Sequence, residues 1–100
     1  MGNYKIKIFP LAQKDLSEIV DYINTLSPQA ALRYYDLLVE RVGSIAEMPE
    51  RCPLAKDIQL RLRGYRTLYV KNYIVFYVVK GDIIEIRRIL YARRQYEGLL

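Results

Sequence analysis

Arginine and tyrosine carry whatever chemistry this chain can do. Seven of its ten arginines fall between residues 61 and 94, at Arg61, Arg63, Arg66, Arg87, Arg88, Arg93 and Arg94, with Tyr65, Tyr69, Tyr91 and Tyr96 interleaved. A guanidinium stays charged and presents a planar fork of donors suited to phosphate, and phenol rings stack on unpaired bases. The chain has no histidine and one cysteine, Cys52. That composition removes histidine-dependent triads, Cys-His pairs and the common zinc arrangements. No Asp/Glu group of ligand spacing stands out, and Gly64 and Gly81 are lone turn glycines, so no metal or other cofactor is implied. Chemistry on a phosphate would have to rest on electrostatic stabilisation by fixed arginines.

Charge is divided along the chain. Residues 1–50 carry 5 basic and 7 acidic side chains, and residues 51–100 carry 11 and 4, within a net charge of +5. The second half therefore favours an anionic partner, either nucleic acid or an acidic protein segment. Some of the arginines also have structural readings. In residues 83–91, IIEIRRILY, strand alternation puts Ile84, Ile86, Arg88 and Leu90 on one face and Glu85, Arg87, Ile89 and Tyr91 on the other. One of the two adjacent arginines then points among apolar neighbours and needs a partner, which Glu85 or a C-terminal carboxylate would supply. Arg61 and Arg63 would also suit a solvated edge strand, and Arg93 and Arg94 a strand end.

The elements that must position these groups follow from periodicity. Tyr4, Ile6 and Ile8 alternate with Lys5 and Lys7 as in a half-buried strand, which Pro10 ends. From Leu11 to about Leu26, Ala12, Leu16, Ile19, Val20, Ile23 and Leu26 recur at helical spacing, with Lys14, Asp15, Glu18 and Asp21 largely opposite. Ser27-Pro28 reads as the cap and first turn of a second helix running to about Met48. Its buried stripe would be Ala31, Tyr35, Leu38, Val42 and Ile45, with Gly43 marking a close approach to a neighbour. The short connection makes the two helices an antiparallel hairpin.

After a loop bracketed by Pro49 and Pro53, Ile58, Leu60 and Leu62 alternate with Gln59, Arg61 and Arg63, which predicts a strand. Tyr65–Lys71, Tyr73–Val79 and Ile83–Leu90 predict three more, turning at Asn72 and at Lys80-Gly81-Asp82. Residues 73–79, YIVFYVV, have no polar face and so belong in the middle of a sheet. The expected fold class is α+β: an N-terminal strand, an antiparallel two-helix hairpin, then a three- to four-stranded mostly antiparallel sheet, as one domain over residues 1–100. The sheet face away from the helices is the candidate working surface. No apolar run reaches the length needed to span a bilayer and no secretion signal is evident, so a cytoplasmic, non-membrane protein is expected.

Three segments together, SPQAALRYYDLLVERVGSIAEMPERCP, LRGYRTLYVKNYIVFYVV and IIEIRRILYARRQYEGLL, resemble the RelE/ParE toxin superfamily across nearly the whole chain. The resemblance implies the toxin of a type II toxin-antitoxin system that arrests growth and is neutralised by a cognate antitoxin, and it leaves open a dimer or a higher toxin-antitoxin assembly. RelE-like toxins act on the ribosome as mRNA interferases; ParE-like toxins inhibit DNA gyrase. On the nuclease reading, the resemblance gives Arg66 and Arg93 the scissile phosphate, Arg61 a basic position and Tyr96 a stacking role, with Arg88 as a further catalytic candidate. Arg63, Arg87, Tyr91 and Arg94 join Arg61 as residues for binding nucleic acid or another target. Against that reading, Gln59 falls where RelE-like nucleases carry a lysine, and the His-Tyr ending of another nuclease branch is absent. Tyr91 replaces a histidine of many ParE-like chains, while the long second helix with its SPQAA start looks more like ParE. A non-toxic, antitoxin-binding homologue is a third reading.

Overall fold

Two prolines and one serine lay out the helical half. In the computed structural model, which describes residues 4–94 and 96–100, β1 (Lys5–Ile8) ends two residues before Pro10, the first residue of α1 (Pro10–Leu26). The proline ring pre-sets the helical φ at a position whose N–H would have no partner. Ser27 both terminates α1 and opens α2 (Pro28–Ser44): its N–H donates to the Ile23 carbonyl, and its Oγ accepts from the Ala30 N–H at 3.2 Å. α2 stops earlier than its periodicity predicts. From Ile45 the backbone tightens to three-residue hydrogen bonds, while the Ser44 hydroxyl donates to the Arg41 carbonyl at 2.7 Å and competes with the helical ladder.

The segment predicted as a strand at residues 58–63 is a short helix, α3 (Ile58–Leu62). Asp57 caps it by accepting from the Leu60 N–H at 3.0 Å, and of its three apolar residues only Leu60 is buried, Ile58 and Leu62 being 57% and 76% exposed. Alternation over five residues does not separate helix from strand. The remaining elements are β2 (Arg66–Val70), β3 (Tyr73–Lys80), β4 (Ile83–Tyr91) and a 3-10 turn at Glu97–Leu99. The sheet runs β1-β4-β3-β2, with β1 parallel to β4 and the other pairs antiparallel.

β3 is central, as its wholly apolar sequence requires, and both its faces are buried. Val75 and Tyr77 point toward the helices with Leu68, Val70, Ile84, Ile86 and Ile89, against Ala12, Ile19, Tyr34, Leu38, Val42 and Ile45. Ile74, Phe76 and Val78 point the other way with Leu90, against Ala55, Leu60 and Tyr65, and Tyr96, Leu99 and Leu100 pack on that side. The far face expected as an open working surface is thus largely covered by α3 and the C-terminal segment. Two helix positions also differ from expectation. Tyr34, not Tyr35, joins the α2 stripe, and Gly43 faces open space, with nothing within 4 Å of where a Cβ would sit.

Two buried phenols link the helical half to the sheet. Tyr34 donates to the Val70 carbonyl at 3.0 Å, and Tyr77 to the Pro49 carbonyl at 2.7 Å. Burial pushes both above the usual phenol range, helped by Tyr73 beside Tyr34 and by the Cys52 thiol beside Tyr77. A raised folded value means the stabilisation is complete below the unfolded value near 10 and is lost as pH rises above it. Unfolding in urea between pH 8 and 11 should show stability falling above about pH 10, by about 1.4 kcal/mol per pH unit for each such group. Tyr34→Phe should fall less steeply by that amount; identical slopes would refute the assignment.

Candidate functional site

A bulge in β4 decides where the paired arginines point. Phe76 lies opposite Arg88 and Tyr77 opposite Ile86, leaving Arg87 as an extra residue. Two consecutive β4 residues then face one on β3, and the simple alternation read from IIEIRRILY fails. Ile84, Ile86 and Ile89 all face the helices, and Glu85, Arg87 and Leu90 the far side.

Arg88 meets an acid that the sequence reading had placed on the polar side of α1. Its Nε and Nη2 bond Asp15 Oδ2 and Oδ1 at 2.7 and 2.9 Å, and its Nη1 the Leu99 carbonyl at 3.1 Å. Asp15 Oδ2 also accepts from the Ile89 N–H at 2.9 Å. The reason is topological: β1 pairs with β4 only as far as Ile86, and beyond it the Asp15 carboxylate takes the place of a neighbouring strand. Its hydrogen bonds to Asp15 hold Arg88 charged more firmly than usual, outweighing burial.

Arg87 is held differently. Its Nε and Nη2 bond Glu85 Oε1 at 3.0 and 2.7 Å and its Nη1 the Tyr65 hydroxyl at 3.1 Å, while the guanidinium carbon sits 4.8 Å from the Phe9 ring centre. Burial opposes its charge, but Glu85 and Tyr65 outweigh that effect. Arg63 joins the same cluster, 5.2 Å from the Tyr65 ring centre, and donates to the Leu100 main-chain oxygen at 2.8 Å.

The remaining candidates do not converge. Arg61 donates to the Ala55 carbonyl at 3.0 Å, and Arg66 to the carbonyls of Cys52 and Glu50 at 2.7 and 3.4 Å, so both tie down the loop before α3. Arg66 lies opposite Tyr77, whose ring is on the helix side, whereas Tyr96 packs on Phe76 at 5.0 Å on the far side. Arg93, Arg94 and Tyr91 are exposed, and among the described residues no side-chain hydrogen bond or ion pair engages the two arginines, although the Arg94 N–H donates to the Tyr91 carbonyl at 3.0 Å. Nor do the described residues include a group of three or more His, Cys, Asp or Glu placed to hold a metal ion.

With this geometry in hand, the relatives are informative. The family model for the ParE toxin of the type II toxin-antitoxin system, parDE, matches residues 6–96. The chain belongs to the ParE toxin family. It is 37% identical over 83 residues to Toxin RelE2 of Caulobacter vibrioides, covering 83% of this chain and 89% of that protein. The structure of the chromosomal ParDE TA system from P. aeruginosa superposes with a TM-score of 0.77 at 25% identity, covering 90% of this chain and 97% of the matched one.

This ParE-family chain is therefore a toxin of the RelE/ParE superfamily, with the expected α+β fold and an antitoxin as partner. None of its described helices is long and apolar enough to cross a membrane. Asp15, which its charge groups with the polar side of α1, is the residue that the structure adds beside Arg88. Its spacing held the signal, three residues after Ala12 and four before Ile19, both buried.

Proposed function

We propose that this toxin arrests growth by binding DNA gyrase, without cutting RNA, and that its cognate antitoxin neutralises it by covering the same basic surface. The observation that carries the proposal is the distribution of donors. Arg61, Arg63, Arg66, Arg87 and Arg88 each bond a main-chain oxygen or a side chain of this chain, and the set that RNA cleavage would require is split between two faces of the sheet. Catalysis by preorganised charge needs donors aimed at one point, where the developing charge can be met. Binding a protein needs only an exposed surface of the right sign, which Arg93 and Arg94 supply.

Arg66→Met separates the two roles. Losing the bonds to the part-buried Cys52 carbonyl and the exposed Glu50 carbonyl should lower stability by about 0.5–1.5 kcal/mol, the usual net contribution of such a bond. Growth arrest should persist at a temperature where the variant is folded. Loss of arrest by a folded Arg66→Met protein, with mRNA cleavage by the parent in a ribosome-containing extract, would defeat the binding reading.

A further inference from the structure

A cleft beside Arg94 is built largely from residues that the toxin reading leaves unused. Tyr22 of α1, Tyr34 of α2, Tyr73 of β3 and Tyr91 of β4 line it with Lys71 and Asn72, around about 570 Å³. The Tyr34 and Tyr73 ring centres are 5.5 Å apart, and those of Tyr73 and Tyr91 5.7 Å. Tyr34 is buried and hydrogen-bonded to Val70, which makes it a fixed floor; Tyr22 and Tyr91 are 60% and 42% exposed and present their rings to a ligand. The Ala92 N–H donates to the Asn72 carbonyl at 2.8 Å, holding the end of β4 against the turn that carries Lys71.

Lys71 occupies a strained position. The β2-β3 and β3-β4 hairpins each turn through two residues, Lys71-Asn72 and Gly81-Asp82, and the first residue of each has positive φ, 57° and 61°. Glycine adopts that conformation freely, whereas a lysine there has its Cβ against the backbone. A non-glycine residue held in this region marks a place to look for function. Here it is one of the residues lining the tyrosine cleft. An adjoining hollow shares Ile23, Tyr34 and Lys71 and adds Arg33, so two cations flank this end. At the other end are Arg94 and Glu18, with the Asp15 carboxylate already engaged by Arg88.

We infer that this cleft binds a nucleotide, its base stacked on the exposed tyrosines and its phosphate at Lys71 and Arg33. Aromatic rings beside cations are the arrangement that holds unpaired bases without reading sequence, because every base offers a π-face. The same chemistry serves a free nucleotide or one within a single strand.

The full chain contains no tryptophan, so quenching of tyrosine fluorescence reports stacking directly. Titration with adenosine monophosphate, and anisotropy of fluorescein-labelled single-stranded DNA and RNA octamers, should both be run. Quenching by the mononucleotide that also displaces the octamer assigns a free-nucleotide site; octamer binding alone assigns a strand. In either case Tyr22→Ala or Tyr91→Ala should weaken binding roughly 5-fold or more. Lys71→Gly, which relieves the turn, should keep or raise the melting temperature while reducing the salt dependence by about one phosphate contact. No quenching and no octamer binding would overturn the inference. So would unchanged affinity in both tyrosine variants with equal losses for Lys71→Gly and Lys80→Ala at the other end of β3, which would mean diffuse charge. Binding only of an acidic, aromatic peptide would reassign the cleft to a protein partner and overturn it as well.

Discussion

Asp15→Ala should cost the fold about 3–5 kcal/mol, the usual consequence of removing one partner from a largely buried ion pair. The Arg88 and Asp15 side chains are only 14% and 8% exposed, so water cannot replace the lost contacts. Three bonds vanish together: two from the guanidinium and one from the Ile89 N–H, which closes the β4 edge where β1 has ended. For a domain of this size that loss lowers the melting temperature by roughly 12 °C or more. The charge left behind is the cause, not the missing attraction, so Asp15→Leu combined with Arg88→Met should recover most of the stability. Thermal and urea unfolding of the three proteins checks this. A loss under about 1 kcal/mol for Asp15→Ala would mean that Arg88 escapes to solvent and is not a strap.

Reversing both free arginines, Arg93→Glu with Arg94→Glu, should abolish growth arrest while leaving the fold intact. Both side chains are exposed and unpaired among the described residues, and surface substitutions of that kind usually change stability by no more than about 0.5 kcal/mol. At an interface the same change sets like charge against like, which costs several kcal/mol. Inhibition of gyrase supercoiling should then require on the order of 100-fold more protein. Full potency in the reversed variant would remove these residues from the target surface.

The helical hairpin and the central strand were legible because each rests on a pattern longer than one element's ambiguity. Pro10, Ser27-Pro28 and the apolar run 73–79 needed no tertiary information. Residues 58–63 were not legible, since the Asp57 cap and the burial of Leu60 alone decide between helix and strand. The orientation of Arg87 and Arg88 was hidden for a similar reason. Alternation assumes an unbroken ladder, and the residue that breaks it is Arg87 itself. The partner for Arg87 was readable, two positions away at Glu85, whereas the partner for Arg88 lies 73 residues away in α1. Of the cleft, Tyr91 and Arg94 were visible as candidates; Tyr22, Tyr73 and Lys71 were not, because only the fold brings them to one place.

That difference bears on function. Arginines that looked like a phosphate-binding battery in sequence are mostly straps in the structure. Arg61 and Arg66 hold the loop before α3, and Arg63 and Arg88 hold the C-terminal segment. Arg87 closes a cluster with Glu85, Tyr65 and Phe9. A small domain gains more from such straps than a large one, since its core buries a smaller fraction of its surface.

The most direct test of a binding toxin is to run gyrase and ribosome assays side by side on one preparation of purified protein. The proposal predicts inhibited supercoiling with accumulation of gyrase cleavage complexes, and intact mRNA in a translating extract at the same toxin excess. Cleaved mRNA with unaffected gyrase would contradict it.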